Sequence, residues 1–105
     1  MKLDIQIEDF AVYRRYGLGG YAEMKTKFTL KSIFDEEEVY SNTYDSKSII
    51  LPASVDGMNY LLFVYALRAC FLDFLDDSDV QKAIEYDDQR LANKVNSWSE
   101  LQLSN

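Results

Sequence analysis

Two segments of alternating apolar and polar residues, joined by a glycine-rich link, constrain the fold of this chain most strongly. In the first segment, Leu3, Ile5 and Ile7 alternate with polar residues, and the strand is expected to continue through a bulge at Asp9 to Tyr16. Gly17-Leu18-Gly19-Gly20 forms the link. In the second segment every other residue faces one side: Ala22, Met24, Thr26, Phe28 and Leu30. A period of two is typical of half-buried strands, so the sequence predicts an antiparallel hairpin.

The rest of the chain supplies a further strand and two helices. Val39–Tyr44 has strong β propensity and follows the polar break Asp35–Glu38. Asp45-Ser46-Lys47 reads as a turn, and Ile49-Ile50-Leu51 as a short strand or a buried linker before Pro52. Ser54 or Asp56 can cap a helix from Met58 to about Leu75. A last helix opens at the capping-box pattern Ser78-Asp79-Val80-Gln81, with a bend expected near Asp87 and an apolar stripe of Val80, Ile84, Leu91, Val95 and Trp98.

This order predicts a single α+β domain over residues 1–105. An antiparallel sheet of three or four strands occupies the N-terminal half, followed by two α-helices packed on one face of the sheet. The first helix is apolar nearly all round, so we expect it to be covered on its outer side by the C-terminal helix or by a second copy of the chain.

Three features favour a cytoplasmic protein without a membrane span. The N-terminus alternates polar and apolar residues, unlike a secretory signal. Arg68 and Asp73 would each cost about 2.5–3.5 kcal/mol inside a membrane-spanning helix. Cys70, the lone cysteine, lies among apolar residues, which is typical of a packing thiol in a reducing compartment.

The charged composition narrows the possible functions. The chain has 18 acidic and 11 basic residues, a net charge of −7 and no histidine. Without histidine there is no Ser-His or Cys-His nucleophile pair and no histidine metal site. The negative charge argues against direct binding of nucleic acid, whose phosphates are recognised mainly by Lys and Arg. We therefore predict no catalytic residue, no metal site and no cofactor.

The excess of acidic over basic residues is concentrated in residues 73–88, which hold seven acids and one base, Lys82. This segment predicts either a solvated end of a helical hairpin or a surface that docks on a basic partner. The residues assigned to such a partner surface are Asp73, Asp76, Asp77, Asp79, Asp87 and Asp88, with Glu36, Glu37 and Glu38 as a second acidic patch.

Aromatic and basic residues surround the glycine-rich link. Tyr13, Arg14, Arg15, Tyr16 and Tyr21 are of the types enriched at protein-binding hot spots. The sequence alone also allows the tyrosines to pack on the sheet and the arginines to be solvated. We include Arg14, Arg15, Tyr16 and Tyr21 among the predicted partner-binding residues.

Asp9 and the segment Glu23-Met24-Lys25 offer a catalytic alternative. This arrangement resembles the acidic–acidic–lysine motif of the PD-(D/E)xK nucleases, and the resemblance implies two carboxylates that hold a divalent metal. The negative field of the chain would repel a nucleic-acid substrate. A solvated strand face with an ordinary Glu–Lys pair explains the same residues.

These observations favour a small acidic inhibitor or adaptor that occupies a basic, nucleic-acid-binding site on a partner protein. In size and charge the chain resembles phage-encoded anti-CRISPR proteins and nuclease-immunity proteins, a likeness that implies a viral protein mimicking nucleic acid. The alternatives are a self-associating module that dimerises through Tyr60 to Leu72, and a metal-dependent hydrolase that uses Asp9, Glu23 and Lys25. We expect no direct contact with nucleic acid or membrane.

Overall fold

The computed structural model describes residues 1–15 and 17–103, with side chains described as far as residue 97. The elements follow one another as β1 (Lys2–Arg15), β2 (Gly19–Lys31), β3 (Glu38–Lys47), α1 (Met58–Asp76) and α2 (Ser78–Leu103). The strands form an antiparallel sheet in the order β1-β2-β3. The predicted α+β arrangement, with the sheet in the N-terminal half and two helices after it, is confirmed.

The hairpin follows the alternation in the sequence. The register of β1 against β2 shifts between Ile7 and Asp9, at the expected bulge. The bulge changes the phase of β1, so that Leu3 and Ile5 before it and Phe10 and Val12 after it face the same side of the sheet. On β2 that side carries the predicted residues, all of them buried: Ala22, Met24, Thr26, Phe28 and Leu30.

Helix α1 covers this side over β2 and β3. Its buried residues recur every fourth position, at Met58, Leu62, Ala66, Cys70 and Phe74. The centre of the core is aromatic, because the ring of Phe28 stacks on that of Phe74 at 4.8 Å and meets the edge of Tyr44 at 5.8 Å. Burial of each large apolar side chain contributes about 1.5–3 kcal/mol, so the packing of α1 on β2 and β3 is a main source of stability.

Among the side chains described as far as residue 97, helix α2 contributes to the core only from its first two turns. Val80 and Ala83 join the core, and Ile84 is half-buried, whereas Leu91 and Val95 are exposed. The chain measures 76 × 22 × 18 Å, while a strand of 14 residues spans only about 46 Å. Helix α2 therefore extends beyond the end of the sheet and leaves the outer side of α1 uncovered.

Several local predictions were wrong. Residues 45–47 continue β3 instead of turning, and α2 runs without a break through Asp87. No side chain caps α1, whose N-cap position is Gly57 in a left-handed conformation. For α2 the capping side chain is Asp77, since its Oδ1 accepts the Asp79 backbone N–H at 2.9 Å. Of the residues around Ile50, Leu51 pairs with Gly20 in an isolated bridge.

Candidate functional site

The junction between α1 and α2 carries four closely spaced carboxylates, Asp73, Asp76, Asp77 and Asp79, which we call the acidic junction. Asp73 accepts a hydrogen bond from the Ser46 hydroxyl of β3. Asp76 and Asp79 are exposed. Lys82, the one base in residues 73–88, approaches Asp79 only to 4.0 Å and is itself largely exposed. Exposed pairs of this kind contribute little, so the junction keeps its negative charge.

Asp77 is the carboxylate of the acidic junction that is held by the most hydrogen bonds. Its Oδ2 accepts hydrogen bonds from the hydroxyls of Tyr44 at 2.6 Å and Tyr40 at 3.0 Å, while Oδ1 caps α2. The bond from Tyr44, the Asp79 backbone N–H and the bond from Tyr40 together lower the pKa of Asp77. Burial, and then the bond to Asp77, raise the pKa of Tyr44. Asp77 is therefore held ionised at a fixed position beside β3.

The other two predicted aspartates lie apart from this group. Asp87 is buried and faces a hollow shared with Ser32 and Arg90, so it adds nothing to the exposed charge. Asp88 is exposed, but it lies ten residues along α2 from Ser78, which corresponds to about 15 Å. The structure brings together Asp73, Asp76, Asp77 and Asp79, and separates them from Asp87 and Asp88.

In the second acidic patch, Glu36–Glu38, one of the three carboxylates is paired with an arginine. Arg90 of α2 forms ion pairs with Asp35 and Glu37 in the β2–β3 turn. The backbone N–H of Glu37 and then the guanidinium of Arg90 lower the pKa of Asp35, while the two carboxylates raise the pKa of Arg90 against the opposing effect of burial. Glu36 and Glu38 remain exposed. No local pattern in the sequence indicates that Arg90 pairs with Asp35, because the two residues are separated by 55 positions.

The aromatic and basic residues of the hairpin line a cavity of about 560 Å³ together with Leu18 and Ile50. The rings of Tyr13 and Tyr21 stack at 5.2 Å, and Arg14 donates a hydrogen bond to the Asn59 side chain at the start of α1. Arg15 is exposed beside them. Tyr16 lies outside the described residues.

The proposed nuclease-like residues share an open hollow of about 350 Å³ on the side of the sheet away from α1. Asp9 lies opposite Lys25, which lies opposite Asp45 on β3. Glu23 pairs with Lys47 at 3.3 Å, and its charge, followed by burial, raises the pKa of Tyr13. Among the described residues no group of three possible ligands could hold a metal ion. From strand to strand, the charges in the hollow alternate in sign.

Helix α1 also has a broad apolar outer surface, of which Tyr60, Val64, Leu72 and Leu75 are exposed. In length and mean hydropathy α1 meets the requirements of a membrane-crossing helix. In this fold, however, one side of α1 is part of the core, and its C-terminal end carries Asp73 and Asp76. The outer surface is thus a second candidate for contact with another molecule.

Comparison of the chain with protein-family models, with curated proteins and with solved structures finds no match. The chemistry of its surfaces is therefore the basis for a functional assignment.

Proposed function

We propose that this protein is a non-enzymatic binding module, an inhibitor or adaptor whose acidic junction docks in a basic site of a partner protein. The observation that carries the proposal is the fixing of Asp73 and Asp77 by hydroxyl donors of β3, with Asp76 and Asp79 exposed beside them. Carboxylates held in place by the fold lose little side-chain freedom on binding, which favours affinity.

Electrostatics supports the same function. A concentrated negative surface accelerates association with a basic groove, and salt weakens that effect because exposed charges are screened beyond about 10 Å at 0.1 M ionic strength. A groove that binds nucleic-acid phosphates is rich in Lys and Arg. Spaced carboxylates on a rigid junction can occupy such a groove in place of the phosphates, as inhibitors of the anti-CRISPR or nuclease-immunity type would.

The test compares two charge reversals at opposite ends of α1. Asp76→Lys changes an exposed residue of the acidic junction, whereas Asp56→Lys makes the same change in net charge just before the helix. The 19 residues of α1 span about 28 Å between these positions, well beyond the screening length at physiological salt. Neither side chain forms a hydrogen bond or an ion pair within the described part of the chain.

Wild type and both variants serve as bait in lysate of the cells that contain the protein, at low and at high salt. We expect a partner that is retained by wild type and Asp56→Lys at low salt, lost with Asp76→Lys and released by high salt. With that partner purified, Asp76→Lys should weaken binding by about tenfold or more and flatten its salt dependence. Equal retention by the two variants would contradict docking through the acidic junction.

A further inference from the structure

The outer edge of β1 is the least protected part of the sheet. Within the described residues β1 has one strand neighbour, β2, and its other edge is open. Ile5 and Ile7 face the side that α1 covers, but they are 49% and 40% exposed, while their partners on β2, Phe28 and Thr26, are fully buried. Helix α1 contacts β1 beyond the bulge, where the ring of Phe63 meets that of Phe10 at 5.3 Å and Asn59 accepts a hydrogen bond from Arg14.

An open, apolar strand edge is a template for pairing with another strand. Proteins usually protect such edges with charged side chains, bulges, prolines, short strands or covering loops, and of these devices β1 carries Lys2, Asp4 and the bulge that follows Ile7. Here the segment before the bulge, residues 2–7, has no proline and no covering element among the described residues. Its apolar side chains lie on the same side of the sheet as the core but extend past the part that α1 covers.

The chain also exposes more surface than a compact monomer of its size. Its accessible surface is 7465 Å², whereas a compact protein of 12.2 kDa exposes about 6,100 Å². The excess of about 1,400 Å² is larger than the roughly 800 Å² that each partner buries in an interface of standard size. Part of the excess belongs to the projecting half of α2, and the remainder includes the uncovered strip beside β1.

We propose that the occupant of this edge is a second copy of the chain, with the two β1 strands paired antiparallel about a twofold axis at Ile5. In this register Lys2 lies opposite Glu8, Leu3 opposite Ile7, Asp4 opposite Gln6, and Ile5 opposite Ile5 of the second copy. Opposite charges and apolar side chains that face each other stabilise antiparallel pairs. The segment is therefore complementary to itself.

Neighbouring twofold registers are not complementary. Side chains alternate between the two sides of a strand. To keep the apolar side chains of both copies on the same side of the sheet, the twofold axis can therefore move from Ile5 only by whole residues, in the first step to a neighbouring residue, Asp4 or Gln6. One step in one direction brings Asp4 opposite Asp4, and one step in the other brings Asp4 opposite Glu8. Like charges directly opposite each other are destabilising. Larger displacements shorten the pairing or put the bulge near its centre.

This dimer leaves the acidic junction free. The junction is bonded to Ser46, Tyr40 and Tyr44 of β3, the strand at the other edge of the sheet. Pairing through β1 therefore forms a continuous sheet of six strands with one acidic junction near each outer edge. The dimer can exist whether or not the junction docks on a partner, so the two proposals fail independently.

Cysteine cross-linking tests both the dimer and its register. Directly opposed Cα atoms of antiparallel strands are 4.5–5.5 Å apart, within the range of a disulfide. Ile5→Cys should form a covalent dimer under mild oxidation. Ile7→Cys is the matched control, because in this register the two copies of residue 7 are about 13 Å apart. Cys70 is buried, so the wild-type chain should give the uncross-linked baseline.

Exchanging the charges of Lys2 and Glu8, two exposed residues of β1, provides a second test of the dimer. Light scattering at increasing protein concentration should show wild type approaching twice its monomer mass. Lys2→Glu and Glu8→Lys should each weaken the dimer by several-fold, and the double variant should restore it. Ile33→Lys, which removes an exposed apolar residue from the β2–β3 turn, should leave the dimer unchanged.

Three results would overturn the proposal. One is a monomer mass for wild type at every soluble concentration. Another is cross-linking of Ile7→Cys as readily as Ile5→Cys, which would show that the two β1 strands do not pair in the register centred on Ile5. The third is a double charge variant no better associated than the single variants.

Discussion

Thr26 offers the sharpest test of how the core is held together. Its side chain lies in the middle strand and is fully buried, and its Oγ1 is a buried polar atom without a hydrogen-bond partner. Burying a hydroxyl without a hydrogen bond costs about 1–3 kcal/mol in proteins. Valine has nearly the same shape and an equally high strand propensity, so Thr26→Val removes the unpaired hydroxyl and keeps the packing.

We expect Thr26→Val to raise the free energy of unfolding by at least about 1 kcal/mol. For a domain of this size each 1 kcal/mol shifts Tm by about 4–8 °C. Urea and thermal unfolding, followed by circular dichroism at one protein concentration, measure both quantities. An unchanged urea m-value would show that the gain comes from the folded state and not from altered exposure on unfolding.

Thr29→Val is the matched control on the same strand. Thr29 is also buried, but its Oγ1 lies 3.1 Å from the Ser41 hydroxyl in a hydrogen bond. Its replacement takes away a satisfied interaction and should leave stability unchanged or lower it. If Thr26→Val does not stabilise the protein, or if Thr29→Val stabilises it equally, the reasoning from the unpaired hydroxyl is wrong.

Three further predictions concern the hairpin turn, the packing of α2 and the acidic junction. Gly19→Ala should lower the free energy of unfolding, measured in urea, by more than about 1–3 kcal/mol. The reason is that residue 19 has φ +94° and a Cβ would lie 1.9 Å from the carbonyl oxygen of Leu51. In the control Gly17→Ala, residue 17 has φ +75° and open space around it, so the substitution should cost only the backbone strain. Arg90→Gln should speed amide hydrogen exchange in the middle of α2, since it breaks the ion pairs to Asp35 and Glu37; unchanged exchange would mean that those pairs do not hold the helix. Asp77 has a lowered pKa when folded, so its contribution to stability is present above the ordinary value of 3.8 and is lost as the pH falls through the folded pKa. Asp77→Asn should therefore flatten the decline of stability below about pH 4 in acid titrations followed by circular dichroism, and an identical decline in the variant would refute this assignment.

The alternation of apolar and polar residues along the chain was sufficient to predict most of the sheet. The alternation from Ala22 to Leu30 predicted which side of β2 is buried, and the change of phase near Asp9 predicted the bulge. Both signals lie within a few residues of one another, and a strand has only two sides. The apolar segment after Met58 likewise predicted α1 almost to its last residue.

The ends of the elements were less accessible to sequence analysis. Ser54, Asp56 and Ser78 all resemble capping residues, yet the cap of α2 is Asp77 and α1 has no side-chain cap. Many short polar residues can cap a helix, and the choice depends on where the neighbouring strands hold the backbone. Tyr40 and Tyr44 of β3 hold the Asp77 side chain by hydrogen bonds to Oδ2, which leaves Oδ1 at the start of α2.

The sequence by itself determined an acidic, histidine-free α+β chain whose negative charge is concentrated near the end of α1. Only the tertiary structure decided which of those charges act together. It buried Asp87, tied Glu37 to Arg90 and placed Asp77 Oδ2 against the hydroxyls of Tyr40 and Tyr44, which also contact each other. It also left Ile5 and Ile7 exposed at an open edge. The physical reason is that the fate of a charge or an apolar side chain depends on the element packed against it, which here comes from tens of residues away along the chain.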